Sequence, residues 1–265
     1  MRLLLLFPAA ALGLFGQLAI TPGVTASGER FAIVGEKPAA PAPTVFLFAG
    51  EMGASLTEQR YVDGWRALGA GVLKVSLDLP AHGADQRSAE KPVSLASWRS
   101  RMDKGEDVVE SFTRRARAVL DHLIAERYTD PNRVAAFGTS RGGFMALHFA
   151  AADSRIANVA AFAPVTDLLA LREFHEMSPD HAARAANATQ LAGRLFDRGL
   201  WIVIGSTDHR VETRSAVDFV LRIVEAAEAR GRRPAVEFHL LPTDGHRLPD
   251  SSYPTAARWL LERWK

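Results

Sequence analysis

A glycine-rich pentapeptide near the middle of the chain places a serine where it could act as a nucleophile. Ser140 is the centre of the segment GTSRG at 138–142, which fits the pattern G-x-S-x-G. An apolar segment at 134–137 precedes it, and a small-residue segment at 142–152 follows it. A strand, this motif and a helix in succession form a sharp turn that exposes the serine hydroxyl above a sheet. The sequence therefore predicts acyl transfer at Ser140, with an ordinary glycine-rich turn as the alternative.

His246 is the predicted general base. A serine hydroxyl is a poor nucleophile until a base removes its proton. Of the eight histidines, His246 directly follows the last predicted strand, residues 236–241, within the segment TDGH. The loop after that strand leaves the sheet at the edge where Ser140 lies, because parallel strands point the same way. A solvent-exposed loop histidine is the alternative. His82, in the segment DLPAHG, is predicted to hold loops together instead.

The predicted acid is Asp208. A carboxylate partner fixes the tautomer of a catalytic histidine and stabilises its protonated form. Asp208 follows the predicted strand 200–204, which gives the chain order Ser, Asp, His that this kind of nucleophile turn requires. Asp167, after the strand 156–162, is the rival acid. Asp244 lies close to His246 in sequence, but it is expected to shape the turn.

Acyl transfer also requires N–H donors for the oxyanion, and a surface that contacts the substrate. The backbone N–H of Arg141 is the first predicted donor. Glu51, after the strand 44–48, is the preferred second donor and Met52 the next choice, with the Glu51 carboxylate pointing away. Met52 and Phe174 are also predicted to contact the substrate, although ordinary packing remains an alternative for Phe174.

The elements that must position these residues alternate between strands and helices. Such alternation predicts an α/β fold with a mostly parallel sheet covered by helices on both faces, and ligands bind at the carboxyl ends of its strands. The predicted strands cover 31–34, 44–48, 71–77, 134–137, 156–162, 200–204 and 236–241, and the predicted helices cover 56–68, 107–126, 142–152, 211–230 and 256–264.

These motifs resemble those of the α/β-hydrolase superfamily. The segments DPNRV at 130–134 and GTSRGG at 138–143 are most similar to its prolyl-oligopeptidase-like and dienelactone-hydrolase-like esterase branches. The similarity extends over roughly residues 40–265. It implies the α/β-hydrolase fold with a short lid between the strands 156–162 and 200–204. It also implies that the catalytic histidine follows the last strand, which is the position of His246.

Two positions bear on how far that resemblance extends. Many members carry a histidine before the glycine of the oxyanion loop, where this chain has Ala49. Some carbohydrate esterases resemble this chain in placing an arginine directly after the serine. That likeness implies that the Arg141 guanidinium approaches the oxyanion or a substrate carboxylate. The alternative is that Arg141 pairs with a nearby acid and only supports the turn.

The composition is that of a soluble globular protein. Of 265 residues, 48% are apolar and 23% charged, and the net charge is +2. No basic block with interleaved aromatic residues is present, so we expect no nucleic-acid partner. The chain has no cysteine, which excludes disulfides, thiolate metal sites and a cysteine nucleophile. We expect no metal and no other cofactor, since no nucleotide-binding motif follows a strand.

The first 26 residues are predicted to be a secretory signal peptide. Arg2 precedes an apolar run at 3–15, and the small residues VTA at 24–26 resemble a cleavage site. An uncleaved membrane anchor or a buried first helix is the alternative. The expected organisation is a signal peptide at 1–26 and one catalytic domain at 27–265. A periplasmic or secreted protein, with no stable membrane span after cleavage, would follow.

The sequence thus predicts a serine esterase that forms an acyl-enzyme through Ser140, His246 and Asp208. The expected substrate is a small or carbohydrate-linked ester. Two alternatives stay open. One is a prolyl-oligopeptidase-like peptidase, although such enzymes usually carry a large N-terminal domain that we do not expect here. The other is a non-catalytic binding protein of the same fold.

Overall fold

The computed structural model describes residues 19–91, 94–178 and 181–265, and these residues form one eight-stranded sheet. The strands are β1 Ile20–Val24, β2 Arg30–Val34, β3 Ala42–Phe48, β4 Leu73–Ser76, β5 Thr129–Thr139, β6 Ile156–Phe162, β7 Gly199–Thr207 and β8 Val236–Asp244. The α-helices are α1 Met52–Thr57, α2 Gln59–Ala67, α3 Leu95–Asp103, α4 Val108–Ala125, α5 Arg141–Ala152, α6 Ala182–Ala185, α7 Ala192–Leu195, α8 Thr213–Glu228 and α9 Ser252–Arg263.

The strands lie in the order β1-β2-β4-β3-β5-β6-β7-β8. The first two pairs, β1 with β2 and β2 with β4, are antiparallel, and every pair from β4 to β8 is parallel. The prediction of a mostly parallel sheet is therefore confirmed. Because β5, β7 and β8 run in the same direction, their carboxyl ends and the residues that follow them meet at one edge of the sheet.

Helices cover both faces of the sheet, and side chains alternate between two apolar cores. In β3, Phe46 and Phe48 pack into the larger core, whereas Val45 and Leu47 pack into the smaller one. This period of two follows from the pleat of a strand, and it explains why a strand buried on both faces is a continuous apolar run. Helices α3, α4, α5, α7 and α8 cover the larger core, and α1, α2 and α9 cover the smaller one.

Two predicted elements differ from those observed. The single helix expected at 56–68 is two helices, α1 and α2, because the backbone of Glu58 is extended between them. The strand expected at 134–137 extends over Thr129–Thr139, and its register shifts once against β3 and once against β6. A pattern of apolar residues does not reveal either feature, because the pattern reports which side chains are buried and not where the backbone changes direction.

The predicted leader falls mostly on residues 1–18, which lie outside the described residues. Its last part is structured: Ile20–Val24 pairs with Arg30–Val34 along five register positions. The predicted cleavage point after Ala26 lies in the turn between these two strands, so cleavage there would remove β1 from the sheet. In the described part of the chain, no helix combines the length and apolar character needed to cross a bilayer.

Candidate active site

Ser140 stands on the sharp turn between β5 and α5. Its backbone has φ 55° and ψ −116°, a conformation that residues other than glycine rarely adopt. The turn is held by backbone bonds: the Ser140 N–H donates to Phe162 O at 2.8 Å, and Ser140 O accepts from the N–H groups of Phe144 and Val165. A strained residue that its surroundings hold so firmly is typical of a functional site.

The glycines of the motif are required by close backbone approach. A β-carbon on Gly138 would collide with the carbonyl oxygen of Gly142, and a β-carbon on Gly142 would collide with that of Phe48. Backbone atoms cannot swing away as a flexible side chain can. The motif therefore lets β3, β5 and the first turn of α5 come together beneath Ser140.

His246 and Asp208 form a hydrogen-bonded pair. Asp208 follows β7 and is buried, and His246 lies two residues beyond the end of β8. The His246 Nδ1–Asp208 Oδ2 distance is 2.7 Å. The other carboxylate oxygen, Oδ1, accepts from the backbone N–H groups of Arg210 at 2.9 Å and Val211 at 3.2 Å. Every carboxylate oxygen of Asp208 is thus used, which fixes its orientation toward His246.

The charge of Asp208 is favoured at this position. Burial alone would raise the pKa of its carboxyl, but the hydrogen bonds from His246 and from the backbone N–H groups of Val211 and Arg210 outweigh burial and lower it. The ionised carboxylate accepts a hydrogen bond from the His246 Nδ1–H, and the proton stays on Nδ1. In a neutral imidazole, this leaves Nε2 unprotonated and able to act as a base.

Ser140 and His246 line the same pocket, which has a volume of about 590 Å³. Within the described ranges, no hydrogen bond to the Ser140 hydroxyl is present. Catalytic hydrogen bonds are often long before a substrate binds, so the shared pocket is the relevant observation. The three residues predicted as nucleophile, base and acid are therefore brought to one edge of the sheet.

The predicted oxyanion donors have different surroundings. Arg141 is the first residue of α5, so its backbone N–H has no partner inside the helix. Glu51 precedes α1 and is exposed. The Met52 N–H donates to Asp78 Oδ1 at 2.8 Å, so this second-choice donor is already engaged.

The two residues predicted to contact the substrate lie away from this pocket. Phe174 is only 1% exposed and belongs to the larger apolar core, because the segment between β6 and β7 folds back on the sheet. Met52 packs against the smaller core and lines a shallow groove beside β1. Neither residue lines the pocket that holds Ser140.

Asp167, the rival acid, and Asp244, the expected turn residue, have other surroundings. Asp167 caps a helical turn at Leu168–Ala170, where its carboxylate accepts from the Leu169 N–H at 2.8 Å. Asp244 is the last residue of β8, with Thr207 as its register partner in β7. Neither carboxylate contacts His246, whose acidic partner is Asp208.

The pocket wall includes residues that the sequence patterns did not indicate. They come from α2, the loop after β7, the loop after β8, and α9, and they are Arg60, Tyr61, Arg210, Arg247, Leu248, Asp250 and Tyr253. A signal existed for some of them, since Arg210 shares a loop with Asp208, and Arg247 and Leu248 directly follow His246. Tyr61 and Tyr253 come from distant segments and meet edge to face, with ring centroids 5.7 Å apart.

His82 joins the pocket from the loop after β4 and contacts Arg141. Its Nδ1 donates to Pro80 O at 2.8 Å, so its Nε2 is the acceptor for Arg141 Nη1 at 3.1 Å. Burial lowers the pKa of His82, and the nearby Arg141 lowers it further, which favours the neutral ring that this pairing requires. His82 is thus placed as a loop-holding residue, and the acid pairing suggested for Arg141 is not formed among the described residues.

The residues that the structure describes include no group of three histidine, aspartate or glutamate side chains that could hold a metal ion. The arrangement at the sheet edge instead consists of a hydroxyl, an imidazole, a carboxylate and backbone N–H donors. These are the groups that nucleophilic acyl transfer uses.

The sheet order, the turn at Ser140 and the positions of the site residues define a protein of the α/β-hydrolase fold. Residues 101–263 match the prolyl oligopeptidase family, and the chain belongs to that family. This stretch runs from the end of α3 to the end of α9, so it includes Ser140, Asp208 and His246. A comparison with curated proteins returns no match.

Solved structures similar to this chain have the same fold. The protein TT1662 of Thermus thermophilus is 20% identical with a TM-score of 0.63, and the match covers 93% of this chain and 98% of that one. Acetyl xylan esterase 1 of a Thermoanaerobacterium species is 16% identical with a TM-score of 0.63, covering 89% and 79%. Dipeptidyl peptidase 4 of Porphyromonas gingivalis is 18% identical with a TM-score of 0.63, covering 92% and 35%. At these identities the likeness shows the fold alone.

Proposed function

We propose that the protein is a serine hydrolase that cleaves carboxylic esters through an acyl-enzyme, with Ser140 as nucleophile, His246 as base and Asp208 as acid. The observation that carries this proposal is the 2.7 Å pair of His246 Nδ1 and Asp208 Oδ2 beside the pocket that Ser140 lines. Because Nδ1 is engaged, the free Nε2 is the nitrogen available to Ser140.

In the first half of the reaction, the Ser140 hydroxyl oxygen bonds to the ester carbonyl carbon and its proton passes to His246 Nε2. The carbonyl oxygen becomes an oxyanion, for which the backbone N–H of Arg141 is one donor and that of Glu51 the other. The bond between the carbonyl carbon and the alcohol oxygen then breaks, the departing oxygen takes that proton from His246, and the acyl group stays on Ser140.

In the second half, a water molecule takes the place of the alcohol. His246 removes a proton from that water as the water oxygen bonds to the acyl carbon, and it returns the proton to the Ser140 oxygen as the acid departs. Asp208 remains ionised throughout and stabilises the protonated imidazole at both stages. Its lowered pKa suits that role.

The charge of the pocket favours an ester over a peptide with a free amino terminus. The charged groups of its wall are four arginines against one carboxylate, Asp250. A cationic ammonium group would meet net repulsion in such a wall. Peptide hydrolysis is the second candidate because the chain belongs to the prolyl oligopeptidase family.

A panel of substrates separates the two candidates. Purified protein is assayed with 4-nitrophenyl esters of graded acyl length and with aminoacyl-4-nitroanilides. We expect turnover of the esters, a fall of on the order of 10⁴-fold or more in the Ser140→Ala variant, and no change when the exposed Ser88 is replaced by alanine. Faster hydrolysis of the anilides than of any ester would favour the peptidase. An active Ser140→Ala variant would refute the assignment of the nucleophile.

A further inference from the structure

Most of the arginine charge in the pocket wall is matched by carboxylates. Arg60 contacts Glu58 at 2.6 Å, and Arg210 makes two hydrogen bonds to Glu173, at 3.0 and 2.7 Å. Arg247 and Asp250, the one carboxylate of the pocket wall, are both exposed. Their opposite charges cancel in the net charge of the wall. One positive charge in the wall remains without a counterpart.

That charge belongs to Arg141. Its guanidinium is half-buried, and within residues 19–91, 94–178 and 181–265 its one side-chain hydrogen bond is the bond to His82 Nε2. No carboxylate of the described residues lies within ion-pair distance of it. Burial lowers the pKa of Arg141, and the nearby Arg210 lowers it further, whereas Glu173 opposes them. Both carboxylate oxygens of Glu173 are bonded to Arg210, so Glu173 is not free to pair with Arg141. An arginine keeps its charge at neutral pH.

A guanidinium without a counter-ion in this position costs free energy unless an anionic ligand binds to it. A partly buried charge without a counter-ion carries a desolvation penalty, and an arginine next to it adds repulsion. The neutral ring of His82 accepts one N–H and holds the guanidinium in place without cancelling its charge. The remaining N–H groups form a planar donor set that matches a carboxylate.

We infer that the substrate is an acidic ester, whose free carboxylate binds Arg141 while its ester group lies at Ser140. This inference rests on the proposed function, and it assigns to the same site a class of substrate with one negative charge. The oxyanion does not require the side chain, because the backbone N–H of Arg141 is already available to it. A permanent anion also offsets the buried charge before the reaction begins, which a transient oxyanion does not.

Matched pairs of esters test the inference. One pair is mono-4-nitrophenyl succinate and 4-nitrophenyl butyrate, which differ in a carboxylate on the acyl side. The other is 4-acetoxybenzoate and its methyl ester, which differ in a carboxylate on the alcohol side. We expect kcat/KM to favour the acidic member of at least one pair by about tenfold or more, as a charge-assisted contact of this kind allows.

The variants show whether Arg141 provides that preference. Arg141→Met should reduce the acidic-to-neutral ratio of kcat/KM by about tenfold, and Arg141→Lys should retain part of it. Arg214→Met is the matched control, because Arg214 is 80% exposed and pairs with Asp218 away from the pocket. An unchanged ratio in a folded Arg141→Met protein would refute the inference, since an effect through the oxyanion would slow both members equally.

A binding measurement separates failure of the inference from failure of the proposed function. The Ser140→Ala protein is titrated with monomethyl succinate and with dimethyl succinate by calorimetry. Tighter binding of the monoanion, lost on adding Arg141→Met, would support the carboxylate site even if no ester were turned over. Equal binding of the two esters would overturn the site, whatever the activity assays had shown.

Discussion

At the scale of single residues, the site depends on how firmly Asp208 is held. Its Oδ1 accepts two backbone N–H groups, so only Oδ2 is left for His246. This asymmetry turns a flexible carboxylate into a group of fixed direction, and it fixes which nitrogen of His246 carries a proton. Sequence order alone indicated Asp208, but it could not show these backbone bonds, because they form only once β7 ends in its turn.

Asp208→Asn is therefore expected to lower kcat on esters by about 10³- to 10⁴-fold, because an amide would favour the wrong tautomer of His246. Stability should change far less, since the asparagine oxygen can still accept backbone N–H groups. Asp167→Asn is the matched control, and it keeps a good cap for its helical turn. Steady-state kinetics of both variants would contradict the account if Asp167→Asn caused the larger loss.

The substrate wall was less accessible to sequence reasoning than the three reactive residues. Ser140 sits in a local motif, and Asp208 and His246 follow apolar strands, so topology alone brings them to one edge. Phe174 was expected in the wall because it lies in the segment between β6 and β7, and Met52 because it follows β3. Both are apolar, and the structure has them in or against the two cores. Their positions depend on how loops fold back on the sheet, and no local pattern encodes that.

At the scale of elements, the turn between β5 and α5 governs the site. Gly138 and Gly142 permit backbone contacts that any side chain would prevent.

Helix α3 and strand β1 were not predicted, and the structure shows a physical reason for each. In α3, Arg101 is buried by ion pairs with Asp85 and Glu90, so the buried face is not apolar. In β1, Pro22 and Gly23 disfavour a strand, and a proline is tolerated there because β1 lies at the edge of the sheet.

Gly142→Ala should destabilise the fold, because the new β-carbon would meet the carbonyl oxygen of Phe48. We expect a loss of about 1–3 kcal/mol in the free energy of unfolding, measured by urea titration, as for other overpacked sites. Gly53→Ala is the control, since Gly53 lies in α1 with open space around it. That variant should be neutral or slightly more stable. Equal stability of the two alanine variants would show that the turn does not need its glycine.

At the scale of the whole molecule, His148 links the stability of the fold to pH. It is buried in α5, where its Nε2 donates to Ala186 O at 2.9 Å and its ring packs on Phe144. Burial lowers its pKa to about 4, with Arg194 lowering it further and Asp107 opposing. Between the ordinary value of 6.5 and about 4, the unfolded chain binds a proton that the folded protein excludes. Stability from this group is therefore complete above pH 6.5 and falls as the pH decreases.

We expect His148 to contribute a loss of about 1.4 kcal/mol per pH unit within that window, or about 2 kcal/mol between pH 6.5 and pH 5. His148→Gln keeps a donor for Ala186 O but cannot titrate, so its unfolding free energy should depend less on pH by that amount. His175→Gln, at an exposed position, is the control. Urea titrations at the two pH values give the unfolding free energies that test this expectation. The same change of unfolding free energy with pH in the wild type and in His148→Gln would contradict the role assigned to His148.

We propose that the protein is exported. The apolar run at 3–15 supports a leader, whereas the pairing of Ile20–Val24 with β2 requires residues before Ala26 in the folded sheet. If the leader is removed, a cut upstream of Ile20 would preserve the edge of the sheet. A cut after Ala26 would leave β2 as an exposed edge strand, with unpaired backbone groups along its length.

The proposed reaction depends on Ser140 being a nucleophile that His246 activates. Reaction of the native protein with a fluorophosphonate, followed by mass spectrometry of the digested chain, tests this dependence. We predict one adduct per chain, on Ser140, formed in proportion to the loss of ester hydrolysis and at least 100-fold more slowly in the His246→Ala variant. Labelling of another residue, or ester hydrolysis that persists after Ser140 is fully labelled, would contradict the account.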